Sequence, residues 1–176
     1  MTEYFEESRL DRAKKQKNRT LTAYFITLAV FLAFSVLCIV YYRTFPYSGY
    51  RDTASKIALL KAVHYSVTGI FVVFSFVFLG IKYRRVNRYY RLCFNLKIGL
   101  RETSTGSFLE YDENVQDKDG VDMKSLVFIE WNKYKNDYFE RKVLVFYESP
   151  FPEFKEKTTV RYVTQGNVLV SYEILD

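Results

Sequence analysis

Few side chains in this 176-residue chain are of types that do chemistry, and their spacing decides which chemistry survives. There is one histidine, His64, and there are two cysteines, Cys38 and Cys93. An imidazole-activated nucleophile needs base and nucleophile within hydrogen-bond reach. A structural zinc site needs four nitrogen or sulfur ligands. Cys38 and Cys93 stand far apart with a single histidine between them, so neither arrangement forms, and a disulfide framework is excluded as well. The densest run of carboxylates is DENVQDKDGVD, residues 112–122. Aligning Gly120 with the glycine of a calcium loop puts Asp117 and Asp119 at ligand positions. It also puts Val115 first and Leu126 where the bidentate glutamate belongs, so the match fails at both ends. The run reads instead as an exposed, solvated loop between strands. STGS (104–107) has one glycine and opens no lysine-bearing helix, so it cradles no phosphate. The expectation is a protein that is not an enzyme and holds no metal or cofactor.

The elements that position these residues are set first by hydropathy. No residue between Arg19 and Arg43, or between Lys61 and Lys82, carries a formal charge, and both runs are mostly Leu, Ile, Val, Phe and Ala. A helix crossing a bilayer needs about 20 such residues. The first run is too long for a signal peptide and lacks a cleavage site, so it reads as a retained anchor. The chain divides into a basic cytoplasmic segment (1–20), a first transmembrane helix (21–42) and a short outer loop (43–57). A second transmembrane helix (58–81), a basic juxtamembrane helix (82–100) and a cytoplasmic β-domain (101–176) follow. Six Lys/Arg precede the first span, and Lys82, Arg84, Arg85, Arg88 and Arg91 follow the second. Positive residues resist translocation, so both termini are expected in the cytoplasm and the protein in the cell membrane as a two-pass hairpin.

Within the spans, Ala29, Ala33, Ala62, Ser66 and Gly69 are small residues at helix-contact spacing and are expected to pack inside the hairpin. His64 has two readings. It is a protonatable residue on a pathway, with Thr68 one turn below it, or it is an interfacial polar residue bonded to headgroups or to the other helix. The second is favoured, because a polar residue near a span's end is cheaply tolerated. Arg84, Arg85, Arg88 and Arg91 beside tyrosines suit anionic headgroups as well as topology. Gly99 is a helix stop.

From residue 103 the hydrophobic period becomes two. STGSFLEY (104–111), MKSLVFIEW (123–131), YFERKVLVFY (138–147), TTVRYV (158–163) and NVLVSYEI (167–174) read as strands, with hairpin loops at NKYKND and TQGN. SPFPEF (149–154) reads as a crossover loop, because its two prolines bar it from a central strand. Five short strands bury a core only by curling into a small antiparallel barrel of the OB or SH3-like kind. Trp131, at the end of the second strand, is assigned to the core or to a binding face, the core being favoured. Residues 1–98 carry 16 Lys/Arg against 5 Asp/Glu, a net of +11, while residues 99–176 carry 10 against 15, a net of −5. A net-acidic β-domain argues against nucleic acid.

The β-segment carries Thr105, Gly106 and Tyr111 at its entry, Phe128 and Trp131 centrally, and Val160 and Tyr162 near its close. In this order it resembles a large family of uncharacterised bacterial membrane proteins, a domain of unknown function that joins one or two spans to a small β-domain. Glu156 and Lys157 stand where that family usually has a glycine. In layout the chain also resembles membrane-anchored OB modules that accompany membrane proteases and lipid-raft scaffold proteins. Neither resemblance implies an activity. The function expected is a scaffold or accessory subunit whose β-domain binds a membrane or cytoplasmic protein through Asp117, Asp119, Phe151 and Trp131. The alternatives are an oligomeric channel component with His64 and Thr68 on its pathway, and an adaptor that senses anionic lipid.

Overall fold

The computed structural model describes residues 1–44, 50–132 and 134–175, apart from the side chains of 50–52. Residues 45–49 of the expected outer loop, which include Pro46 and Gly49, lie outside these residues. The chain forms two compact units: Gln16–Arg84, and Met1–Lys15 together with the chain from Arg85 onward.

The first unit is helical. Helix α1 spans Glu7–Thr44 and α2 spans Tyr50–Val77; a π-helical turn, Phe78–Tyr83, carries α2 into α3, Arg84–Ile98. Along α1, Leu21, Tyr24, Leu28, Phe31, Ser35, Cys38 and Tyr42 are buried or half-buried and are spaced alternately by three and four residues. They form a coiled-coil seam, answered on α2 by Ile57, Leu60, His64, Val67, Phe71 and Ser75. The Phe31 and Phe71 rings stack at 4.1 Å, and Tyr24 OH donates to Ser75 Oγ at 3.4 Å. The small residues are elsewhere: Ala29, Ala33, Ala62, Ser66 and Gly69 are all exposed. Rings fill the seam, so its three-and-four spacing leaves the small side chains on the outer faces. Both helices are long and apolar enough to cross a membrane, and their apolar windows are 6% and 0% buried.

The second unit is built on strands β1 (Thr2–Glu3), β2 (Glu102–Lys118), β3 (Val121–Asn132), β4 (Asp137–Phe146), β5 (Thr159–Gln165) and β6 (Val168–Ile174). The order β6-β4-β3-β2-β5 closes on itself through β5–β6, giving a five-strand barrel with β1 outside on β6. All pairings are antiparallel except the short parallel contact of β4 with β6. Alternation along the strands fills the barrel with Phe108, Leu126, Phe128, Val143, Val145, Val160, Tyr162 and Leu169. Each large ring so buried contributes about 2–3 kcal/mol. Gly106 is closely packed here: a Cβ at this position would lie 3.1 Å from the Ile129 carbonyl oxygen, which would have to give by a few tenths of an ångström.

The outside of the barrel is buried too. Met123, Phe146, Val163, Val168 and Val170 face Leu92, Cys93 and Leu96 of α3, and Ala13 of the first turns of α1. The expected N-terminal basic segment is therefore part of this unit. Thr2 and Glu3 pair with Tyr172 and Ser171, and the Tyr4 and Phe5 N–H groups both donate to the Val170 carbonyl. The acidic run is also not a loop. Strand β2 continues through it to Lys118, with register shifts between Phe108 and Glu110 and between Asp112 and Gln116. It then turns back on Asp119 and Gly120 alone, at φ of 56° and 79°. Two residues in succession at positive φ are what a tight twisted hairpin requires.

Candidate functional site

Five places on the barrel unit gather polar or aromatic side chains. At the bulge of β2, Asp112 accepts from Lys142 Nζ at 2.8 Å, from Ser125 Oγ at 3.3 Å and from the Asn114 backbone and amide N–H groups. The Lys142 ammonium, helped by Asn114, holds the Asp112 carboxyl down to about 2. All its acceptor sites face inward on this cluster, so it fastens the bulge. A carboxyl with a lowered folded-state pKa stabilises fully above its ordinary value of 3.8, and that contribution is lost as pH falls towards 2. The expected result is that Asp112→Asn melts below the parent at pH 7 and level with it near pH 2. A melting difference that persists unchanged in acid would refute this role.

At the barrel mouth, Arg141 donates to Ser104 Oγ (2.8 Å), Glu102 Oε2 (3.0 Å), Asn167 Oδ1 (3.3 Å) and Thr164 Oγ1 (3.4 Å), and lies 3.6 Å from Glu130 Oε2. Glu130 in turn accepts from the Tyr162 hydroxyl. Burial and this bond raise the Tyr162 phenol well above its ordinary 10. This plug ties β2, β3, β4 and β5 together and uses most of its donors internally.

The proline-bearing crossover is fastened just as fully. Tyr111 OH bonds the Pro152 carbonyl at 2.9 Å and accepts from Phe154 N–H at 2.7 Å, while Tyr4 OH donates to the Pro150 carbonyl at 2.9 Å. Phe151, expected to contact a partner, is partly buried against the Tyr111 ring, with Lys124 Nζ 3.9 Å from its centroid.

Asp117 and Asp119 flank the β2–β3 turn, where Asp117 Oδ1 caps the Gly120 N–H at 3.0 Å. The turn abuts the basic face of α3. Arg85 lies 4.0 Å from Asp122, and a Cβ at Gly120 would sit 2.8 Å from Arg88 Nη1. Arg84, Arg85, Arg88 and Arg91 are all exposed. In the helical unit, His64 Nδ1 shares a hydrogen bond of 3.0 Å with Tyr42 OH, and Thr68 Oγ1 donates to the His64 carbonyl at 2.8 Å. Both polar groups are thus occupied within the hairpin.

The remaining place is the β3–β4 hairpin. Strand β2 pairs with β3 no further than Ser107–Ile129, so residues 130–132 and 137–139 form a ribbon that runs on past the barrel. Trp131, expected in the core, is 46% exposed there and packs edge-on against Tyr138 at 4.8 Å. Phe139 is 41% exposed, Tyr138 67% and Tyr134 100%. Asn132 Oδ1 accepts from the Tyr134 and Lys135 N–H groups at 2.9 and 3.2 Å, which holds the tip. The expected partner set is therefore dispersed: the Asp pair sits at one end of β3, Trp131 at the other, and Phe151 in the crossover. Tyr134, Tyr138 and Phe139 were not foreseen; period-two alternation assigns them faces but does not say where the barrel stops. Among the described residues, no three His, Cys, Asp or Glu side chains are grouped to hold a metal ion. Comparison with protein-family models, curated proteins and solved structures finds no match to this chain.

Proposed function

We propose that this is a non-enzymatic two-pass membrane protein, with both termini cytoplasmic, whose barrel is a protein-binding module that presents the β3–β4 hairpin. The almost fully exposed apolar surface of α1 and α2 supports the anchor, since such a surface is unstable in water. Strand order β2-β3-β4-β6-β5 with a parallel β4–β6 contact supports the OB kind of barrel over the SH3-like kind. One observation carries the binding role: Trp131, Tyr134, Tyr138 and Phe139 are four exposed aromatic residues gathered in one hairpin, whereas the unit's other exposed aromatics, Phe94, Tyr111 and Tyr147, lie singly on α3, on β2 and after β4. Exposed Trp and Tyr in a rigid hairpin are the residue types that dominate binding energy at protein interfaces. The occupied state of His64 and Thr68 gives a conduction pathway no support.

The test is cross-linking of the tagged full-length protein in its native membranes, followed by identification of the co-purifying protein. Trp131→Ala with Tyr138→Ala should lower recovery of a stoichiometric partner by about tenfold or more, with membrane association and melting unchanged. Equal recovery in the variant would overturn this reading.

A further inference from the structure

The partner's mode of docking is written in the edge of β4, and this inference rests on the protein-binding reading above. One edge of β4 is paired with β3 over its whole length, from Asn132–Asp137 to Met123–Phe146. The other meets β6 only at Leu144–Val168, where Leu144 N–H donates to the Asn167 carbonyl at 2.7 Å. In a regular strand, backbone groups alternate between the two edges, so Tyr138, Glu140 and Lys142 direct theirs to the same side as Leu144. The Tyr138 N–H is taken by the Asp137 carboxylate at 2.7 Å. Among the described residues, no strand lies beside the N–H groups of Glu140 and Lys142 or the carbonyls of Tyr138, Glu140 and Lys142. Strand β4 has no proline and no register shift to blunt that edge, and Asp137 to Glu140 are all exposed.

Charge selects what can lie there. Glu140, beside Ile129, and Glu110, beside Val127, are exposed carboxylates on the face that carries Trp131 and Tyr138. Lys142, the cation that β4 carries on this face, is committed to Asp112 at 2.8 Å. A phosphate backbone or an anionic lipid surface is repelled by this face. An arginine is drawn to it twice, by the carboxylates and by stacking on the Trp131 and Tyr138 rings.

We infer that the open edge of β4 takes an extended, arginine-bearing segment of the partner protein as an added strand. Backbone bonds to Glu140 and Lys142 hold the segment, and alternate arginines reach Glu140, Glu110 and the Trp131–Tyr138 pair.

The probe is the peptide Ac-Val-Arg-Val-Arg-Val-Arg-Val-NH2, with a glutamate counterpart and a form N-methylated at alternate residues. Each is titrated into the full-length protein in detergent micelles. Trp131 is the chain's one tryptophan, so its emission reports the site directly. The arginine peptide should shift Trp131 emission to the blue and slow hydrogen exchange at the Glu140 and Lys142 amides by about tenfold. Glu140→Lys should weaken binding by about tenfold, and N-methylation should abolish it. No shift with the arginine peptide, equal binding of the glutamate peptide, or indifference to N-methylation would each overturn the inference. If the Trp131 and Tyr138 substitutions still cut partner recovery while the peptide fails, the extended basic strand is refuted and the binding module stands. If recovery is untouched, the module itself fails.

Discussion

Replacing Arg141 by Ala is expected to destabilise the barrel by about 3 kcal/mol, and adding Glu130→Gln to it should recover a substantial part of that loss. The Arg141 side chain is 17% exposed and that of Glu130 only 11%. Removing the guanidinium leaves a nearly buried carboxylate facing Tyr162 with no countercharge. The desolvation cost of that orphan outweighs the hydrogen bonds that vanish with the guanidinium itself. Glu130→Gln removes the charge and keeps the shape, so the double variant separates electrostatics from packing. Hydrogen exchange at core amides such as Phe128 and Val143, in the full-length protein, measures both variants. A loss below about 1 kcal/mol, the range of exposed ion pairs, would show that the plug is dispensable.

Phe5→Ala should cost about 3–4 kcal/mol of the same unit's stability, in the range for truncating a buried ring. Phe5 is 6% exposed, stacks on Phe146 with centroids 6.4 Å apart, and shares its cluster with Ala13, Leu92, Cys93 and Leu96. The cavity cannot collapse easily, because helix and sheet are both rigid walls. Glu3→Ala, at an exposed position two residues earlier in β1, is the control and should change stability by less than about 0.5 kcal/mol. If both substitutions are equally mild, the N-terminal segment is not part of the fold under those conditions.

The two apolar helices were legible because charge is absent from their runs, and the five barrel strands because Val, Phe and Tyr alternate with polar residues. Their assembly was not. The seam of α1 was hidden because a helix apolar on every side shows no periodic contrast at Tyr24, Phe31 or Cys38. The second half of β2 was hidden because DENVQDK is poor in strand-forming side chains; it is held by pairing to β3 and by the Asp112 cluster. Strand β1 is two residues long, too short for any pattern, and only Phe5 behind it hints at burial. Of the candidate site, Trp131 was visible as a residue but its exposure was not, since that depends on β2 ending its pairing with β3 at Ile129.

Strand β1 also carries a consequence about compartments. Thr2 and Tyr172 are cross-strand partners, so the segment before α1 and the barrel after α3 belong to one folded unit. Any bilayer threaded between them is threaded an even number of times, whatever the flanking charges dictate. The pairing also orders biosynthesis. Thr2 and Glu3 must wait for Ser171 and Tyr172, and both apolar helices are made in between. The barrel is thus the clasp of a loop that fastens only after both helices have been made.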